Sequence, residues 1–181
     1  KPRQIWPATK STLQATFDQY AGGRRIPIAA SEFNLVYSHD LDMQKMMRTA
    51  GNMLFMSESI GQAISNGYFS FAQWSLSNGC SNVTNSCYDL LLADNGYVRT
   101  PQYFAFPLWS RFGGTMLRST SNVSNATLSA YAGKINATTY SLLVINKTGQ
   151  SVTSNVTFSD GRLVVSGLVD VAQAATPDST S

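Results

Sequence analysis

Charge is scarce in this chain. Of 181 residues, 13 are Lys or Arg and 10 are Asp or Glu, so the charged fraction of 13% is about half of the ~25% usual in soluble domains. Neutral polar groups must cover most of the surface, and Ser, Thr and Asn are plentiful. The net charge of +3 is uneven, because Lys1, Arg3, Lys10, Arg24 and Arg25 precede Ile26 against Asp18 alone. That is no nucleic-acid footprint, which needs a clustered basic face with interleaved aromatics. Histidine occurs once, as His39, and cysteine twice. This is too little for a metal-ligand set, and no glycine-rich phosphate loop follows a strand pattern, so neither metal nor cofactor is expected. No apolar run approaches the ~18 residues of a membrane span, and the stretch from Lys1 does not read as a signal peptide. Glutamate occurs only as Glu32 and Glu58.

What is present alternates between helical and strand patterns. The length suits one ordinary domain or parts of two. Residues 1–9 read as irregular, with Pro2 and Pro7 bracketing Trp6. A short amphipathic helix is expected from Ser11 or Thr12, with Gly22-Gly23 as its stop. The apolar run 26–33 reads as a parallel strand buried on both faces, with Glu32 at its carboxyl end. A long helix is expected from Leu41 to Ser65, with Asp40 as N-cap and a methionine stripe that reads as core packing. Tyr68 to Leu76 reads as a second strand, followed by Leu90-Leu91-Leu92, a turn at Asp94-Asn95-Gly96, and Tyr97-Val98. Thr100-Pro101 opens an aromatic-rich helix, 102–112, which Pro107 should bend or end early.

At Gly114 the pattern changes. Short strands are expected at 127–131, 140–146, 154–158 and 163–165, separated by Gly, Asn and Asp turns, as in an antiparallel sandwich. The polar tail 173–181 is expected to be disordered. Cys80 and Cys87 flank an Asn-rich loop and suggest a local disulfide. Asn-X-Ser/Thr triplets begin at Asn82, Asn122, Asn125, Asn136, Asn146 and Asn155, and they permit glycosylation rather than demonstrate it. With the cysteine pair they favour a secreted or periplasmic location.

Strand ending in Ser-Glu-Phe-Asn, helix, strand ending in Gln-Trp-Ser-Leu, aromatic helix opened by Thr-Pro-Gln-Tyr, then sandwich: in this order the chain resembles the end of a retaining (β/α)8-barrel glycoside hydrolase. The resemblance is to the α-L-arabinofuranosidase-like superfamily, and it covers residues 11 to about 172. It implies α/β plus all-β architecture, with the last two β/α units of the barrel in 1–113, a β-sandwich portion in 114–172 and the tail 173–181. It also implies Glu32 as the catalytic nucleophile and Trp74 as a wall of the sugar subsite. Chemistry fits these roles, since an ionised nucleophile needs donors, which Asn34, Tyr37, His39 and Gln73 offer, and an indole face suits a sugar ring. The acid/base glutamate of the family follows an Asn, and no Asn-Glu pair occurs here; Glu58 lies inside the expected long helix. A second chain or a missing preceding portion would therefore complete the barrel and bind the carbohydrate substrate together with this chain. A non-catalytic carbohydrate-binding module is the competing expectation.

Overall fold

The computed structural model describes residues 1–80, 87–93, 96–176 and 178–180. It is a mixed helix-and-sheet structure with three small sheets, none of which closes into a barrel among the described residues. The first helix, α1, spans Pro2–Tyr20 and starts well before Ser11. Pro2 stands where a helix tolerates the missing N–H, whereas Pro7 lies inside and forfeits a backbone bond. Packing offsets that loss: the Trp6 indole meets Phe71, Phe33 and Tyr68 edge-on at 4.6, 5.6 and 6.2 Å, and the Tyr68 hydroxyl donates to the Trp6 carbonyl.

The β/α alternation is present, with shorter elements than the apolar runs suggest. Strand β1, Ala29–Phe33, pairs in parallel with β2, Ser70–Gln73, and α2, Ala50–Ser65, connects them. Only one face of β1 is covered. Ile28 and Phe33 are buried, while Ala29, Ser31 and Glu32 are exposed, so burial on both faces does not occur in this chain. Phe33 packs with Met56 and Ala105 beneath Trp6, Phe55, Phe71 and Phe106.

The long helix expected from Leu41 begins only at Ala50. Before it lie two 3-10 turns, His39–Leu41 and Met46–Arg48, separated by Lys45 in the left-handed region at φ 55°. The carboxylate responsible is Asp42 rather than Asp40. Its two oxygens accept the Met46 and Met47 N–H groups at 2.7 and 3.1 Å, the local side-chain bonding that competes with helix continuation. Met47, Met53 and Met56 are core, as the stripe implied, but Met43 stands exposed ahead of the helix.

β3, Leu91–Leu92, pairs antiparallel with β4, Val98–Arg99; the turn residues Asp94 and Asn95 lie outside the described residues. The aromatic helix is a 3-10 turn, Pro101–Phe104, running into α3, Ala105–Ser110. Pro107 thus falls in the first turn of α3, where the N–H that proline lacks would have no partner within that helix.

The last sheet has the order β5-β6-β7: Thr115–Leu117, Leu128–Lys134 and Tyr140–Asn146, all antiparallel. Trp109, Tyr131, Leu143 and Ile145 pack it onto α2 and α3. The strands expected at 154–158 and 163–165 are not formed. Their apolar side chains join no sheet among the described residues: Leu163 is 86% and Val165 96% exposed. In the tail, the Ser179 carbonyl accepts the Ala50 N–H at 2.8 Å, an anchor at the start of α2 where disorder was expected.

Candidate functional site

Parallel pairing brings the carboxyl ends of β1 and β2 side by side, and with them Glu32, Asn34, Gln73 and Trp74. The register runs Ala29 opposite Ser70 and Ala30 opposite Phe71, then Phe33 opposite Gln73. One extra residue is therefore held in β1 at Ser31-Glu32. Bulges of this kind re-aim side chains and recur beside active sites. Glu32 sits on the bulge and is exposed; Trp74, 46% exposed, lies just past β2. The Trp74 N–H donates to the Phe33 carbonyl at 3.0 Å, and the Trp74–Ser75 peptide is cis.

Behind this edge lies a network of side-chain amides. The Asn34 amide donates to the Trp74 carbonyl at 2.5 Å and to the Tyr88 carbonyl at 3.2 Å. Gln73 and Gln102 donate to the same Tyr88 carbonyl at 2.8 and 3.0 Å, as does the Ser75 N–H at 3.2 Å. Asn52, fully buried on α2, donates to Gln102 at 2.9 Å and to the Met47 carbonyl at 3.0 Å. Four donors on one carbonyl with two lone pairs lock residues 87–89 beneath the β1 and β2 ends.

The donors expected for Glu32 are accordingly distributed otherwise. Asn34 and Gln73 direct their amides to main-chain carbonyls, Tyr37 stands 89% exposed in the connection to α2, and His39 lies against the Tyr88 ring at 4.3 Å. Burial, reinforced by the negative charges of Asp40 and Asp42, pushes the Tyr88 phenol above its ordinary value. The structure thus gathers Glu32, Asn34, Gln73 and Trp74 at one edge and attaches His39 through Tyr88. Sequence reasoning missed Asn52, Tyr88 and Gln102. One signal was available, an Asn among methionines on a helix, since a buried amide needs polar partners.

Cys80 and Cys87 form the expected disulfide, with Cα atoms 5.6 Å apart. It closes the loop that follows β2, and the buried Asp89 accepts the Ser75 hydroxyl at 2.7 Å and the Cys80 N–H at 3.1 Å. Asn82 lies outside the described residues. Asn122, Asn125, Asn136 and Asn155 are exposed, and Asn146 is half-buried.

Glu58 is in a different setting. It is 3% exposed on α2, with Arg3 at 2.5 Å and Lys147 at 2.8 Å, and it accepts the Tyr131 hydroxyl at 2.7 Å. Burial alone would raise its pKa. The bonds from Lys147, Ser129 and Tyr131 outweigh burial and hold it below the usual carboxylate range. Burial pushes the Tyr131 phenol well up. No helix among the described residues is long and apolar enough to cross a membrane. No protein-family model matches the chain, and no curated protein matches it.

Proposed function

We propose that this chain is the C-terminal part of a retaining glycoside hydrolase with an extracytoplasmic location. Glu32 forms the glycosyl-enzyme intermediate and Trp74 supports the sugar ring. The observation that carries this reading is the parallel β1–β2 pair with its bulge at Ser31-Glu32, which puts a carboxylate and an open indole face at one sheet edge. The uncovered face of β1 and the unpaired apolar segment 163–171 support a missing portion that supplies the rest of the (β/α)8 barrel and sandwich.

In such an enzyme Glu32 attacks the anomeric carbon while a second carboxylic acid, about 5–5.5 Å away, protonates the leaving oxygen. The second group then deprotonates water, which releases the sugar with its configuration retained. Glu58 is held by two cations and a phenol, and Asp42 by two N–H groups. The family's acid/base glutamate follows an Asn, and this sequence has no Asn-Glu pair, so that group is assigned to a portion outside this chain.

A second reading has its own observation. Asn34 and Gln73 bond to carbonyls rather than to Glu32, as suits a non-catalytic carbohydrate-binding module in which Trp74 and Tyr37 form the sugar platform. One experiment separates the two. In the full protein, Glu32→Gln is expected to lower turnover at least ~10³-fold with the fold intact. Azide is expected to restore turnover of Glu32→Gly as a glycosyl azide of inverted configuration. A hydrolase whose activity survives Glu32→Gln would sink the nucleophile assignment, and sugar binding without hydrolysis would establish the second reading.

A further inference from the structure

The N-glycosylation triplets are unevenly placed, and the structure distinguishes among them. Six of the chain's 12 asparagines open such a triplet. With Ser and Thr making up about a fifth of the residues, chance would give about two or three. In the half that carries Glu32, one of seven asparagines, Asn82, opens a triplet, whereas all five after Gly114 do. The five described triplets all lie around the β5-β6-β7 sheet.

Asn136 has the most favourable geometry. It sits at the exposed tip of the hairpin between β6 and β7. Its side-chain oxygen accepts the Thr138 N–H at 3.0 Å, the Thr139 N–H at 2.9 Å and the Thr138 hydroxyl at 3.3 Å. The carboxamide is thereby held by its oxygen, with the nitrogen left without a partner among the described residues and the hydroxyl of the triplet beside it. Asn146 is the counter-example. It is half-buried, its nitrogen donates to the Gln150 carbonyl at 2.7 Å, and its neighbour Lys147 is tied to Glu58, Asn125 and Ser129.

We propose that Asn136 carries an N-linked glycan and that Asn146 remains bare. The donor is a lipid-pyrophosphate-linked oligosaccharide. The Asn136 nitrogen bonds to its anomeric carbon as the carbon–oxygen bond to pyrophosphate breaks; the lipid pyrophosphate leaves with that electron pair, and one amide proton passes to a base of the transferase. The glycan then projects from a hairpin tip of the sheet portion, on the half of the chain that lacks Glu32. This assignment does not depend on the role of Glu32.

The test is glycopeptide mass spectrometry of the full protein secreted from a eukaryotic host, before and after enzymatic release of N-glycans. A glycan on the Asn136 peptide, with Asn136 becoming an aspartate on release and the Asn146 peptide unmodified, is the expected result. Asn136→Gln and Thr138→Ala should each remove one glycan from the intact mass. Secreted protein with Asn136 bare, or with Asn146 occupied in its place, overturns the proposal.

Discussion

Two glutamates of the same chain have opposite surroundings. Glu32 stands exposed on a bulged strand at an open sheet edge. Glu58 is buried where α2 meets the β5-β6-β7 sheet, with Arg3, Lys147 and Tyr131 around it. A buried carboxylate survives only when its charge and lone pairs are matched, so Glu58 is bound to structure. An exposed carboxylate with the neighbouring amides directed elsewhere adds little to stability and is available to a ligand. Burial by itself thus does not mark the candidate site here, because the hidden glutamate holds the two halves together and the open one borders the edge proposed to bind sugar.

The largest expected effect follows from exchanging the perturbation between them. Glu58→Gln in the full protein removes the charge that the half-buried Arg3 and Lys147 face at this junction, a loss of about 1.5–3 kcal/mol in denaturant unfolding. Glu32→Gln should leave unfolding within about 0.5 kcal/mol of the parent while removing turnover. If Glu58→Gln unfolds at the parental denaturant concentration, the contrast between the two carboxylates fails.

The pH dependence sharpens the same contrast. The folded-state pKa of Glu58 is depressed, so its stabilisation is fully present above the ordinary carboxylate value of ~4.3. It is lost as pH falls below that value through the depressed folded one. Acid unfolding of the parent should therefore steepen below about pH 4, and Glu58→Gln should flatten that limb. An unchanged acid limb in the variant would place the titrating group elsewhere.

Close packing at the same junction gives a smaller effect. A Cβ on Gly61 would lie 2.4 Å from the Tyr131 ring, which cannot swing away because its hydroxyl is held by Gln62 and Glu58. Gly61→Ala is expected to cost about 1–3 kcal/mol through overpacking, although alanine is the better helix former. A stabilised variant would mean that α2 and β6 part easily.

How much of this was legible in the sequence depended on where each segment finds its partners. Apolar period and turn residues pointed to the parallel β1–β2 pair and to β6 and β7, because these segments find partners within the chain. The same reasoning placed strands at 154–158 and 163–165, where nothing among the described residues pairs with them. It started α1 only at Ser11 or Thr12, since the aromatic packing of Trp6 that carries the helix across Pro7 joins residues far apart in sequence. It brought Glu32 and Trp74 to one edge but aimed Asn34 and Gln73 at the carboxylate. The Tyr88 carbonyl that receives both comes from a loop about 15 residues beyond Gln73, and no local pattern indicates that partner.

Two tryptophans restate the contrast, and the smallest expected change in stability falls on the open one. Trp109 is 8% exposed, packs in the sheet–helix core and donates its indole N–H to the Ser57 carbonyl at 3.0 Å; truncation to alanine should cost about 3–5 kcal/mol. Trp74 has nearly half its surface open, and its bonds to Phe33 and Asn34 are made by its backbone, which alanine retains. Trp74→Ala is therefore expected to change stability by no more than about 0.5 kcal/mol. The same substitution should weaken sugar binding by about 1–2 kcal/mol, or roughly 5–30-fold, measured by titration of the full protein with oligosaccharides. A Trp74→Ala protein that is destabilised as much as Trp109→Ala, with sugar affinity intact, would mean that the indole is core and that the open edge of β1 and β2 lacks the sugar-facing wall assigned to it.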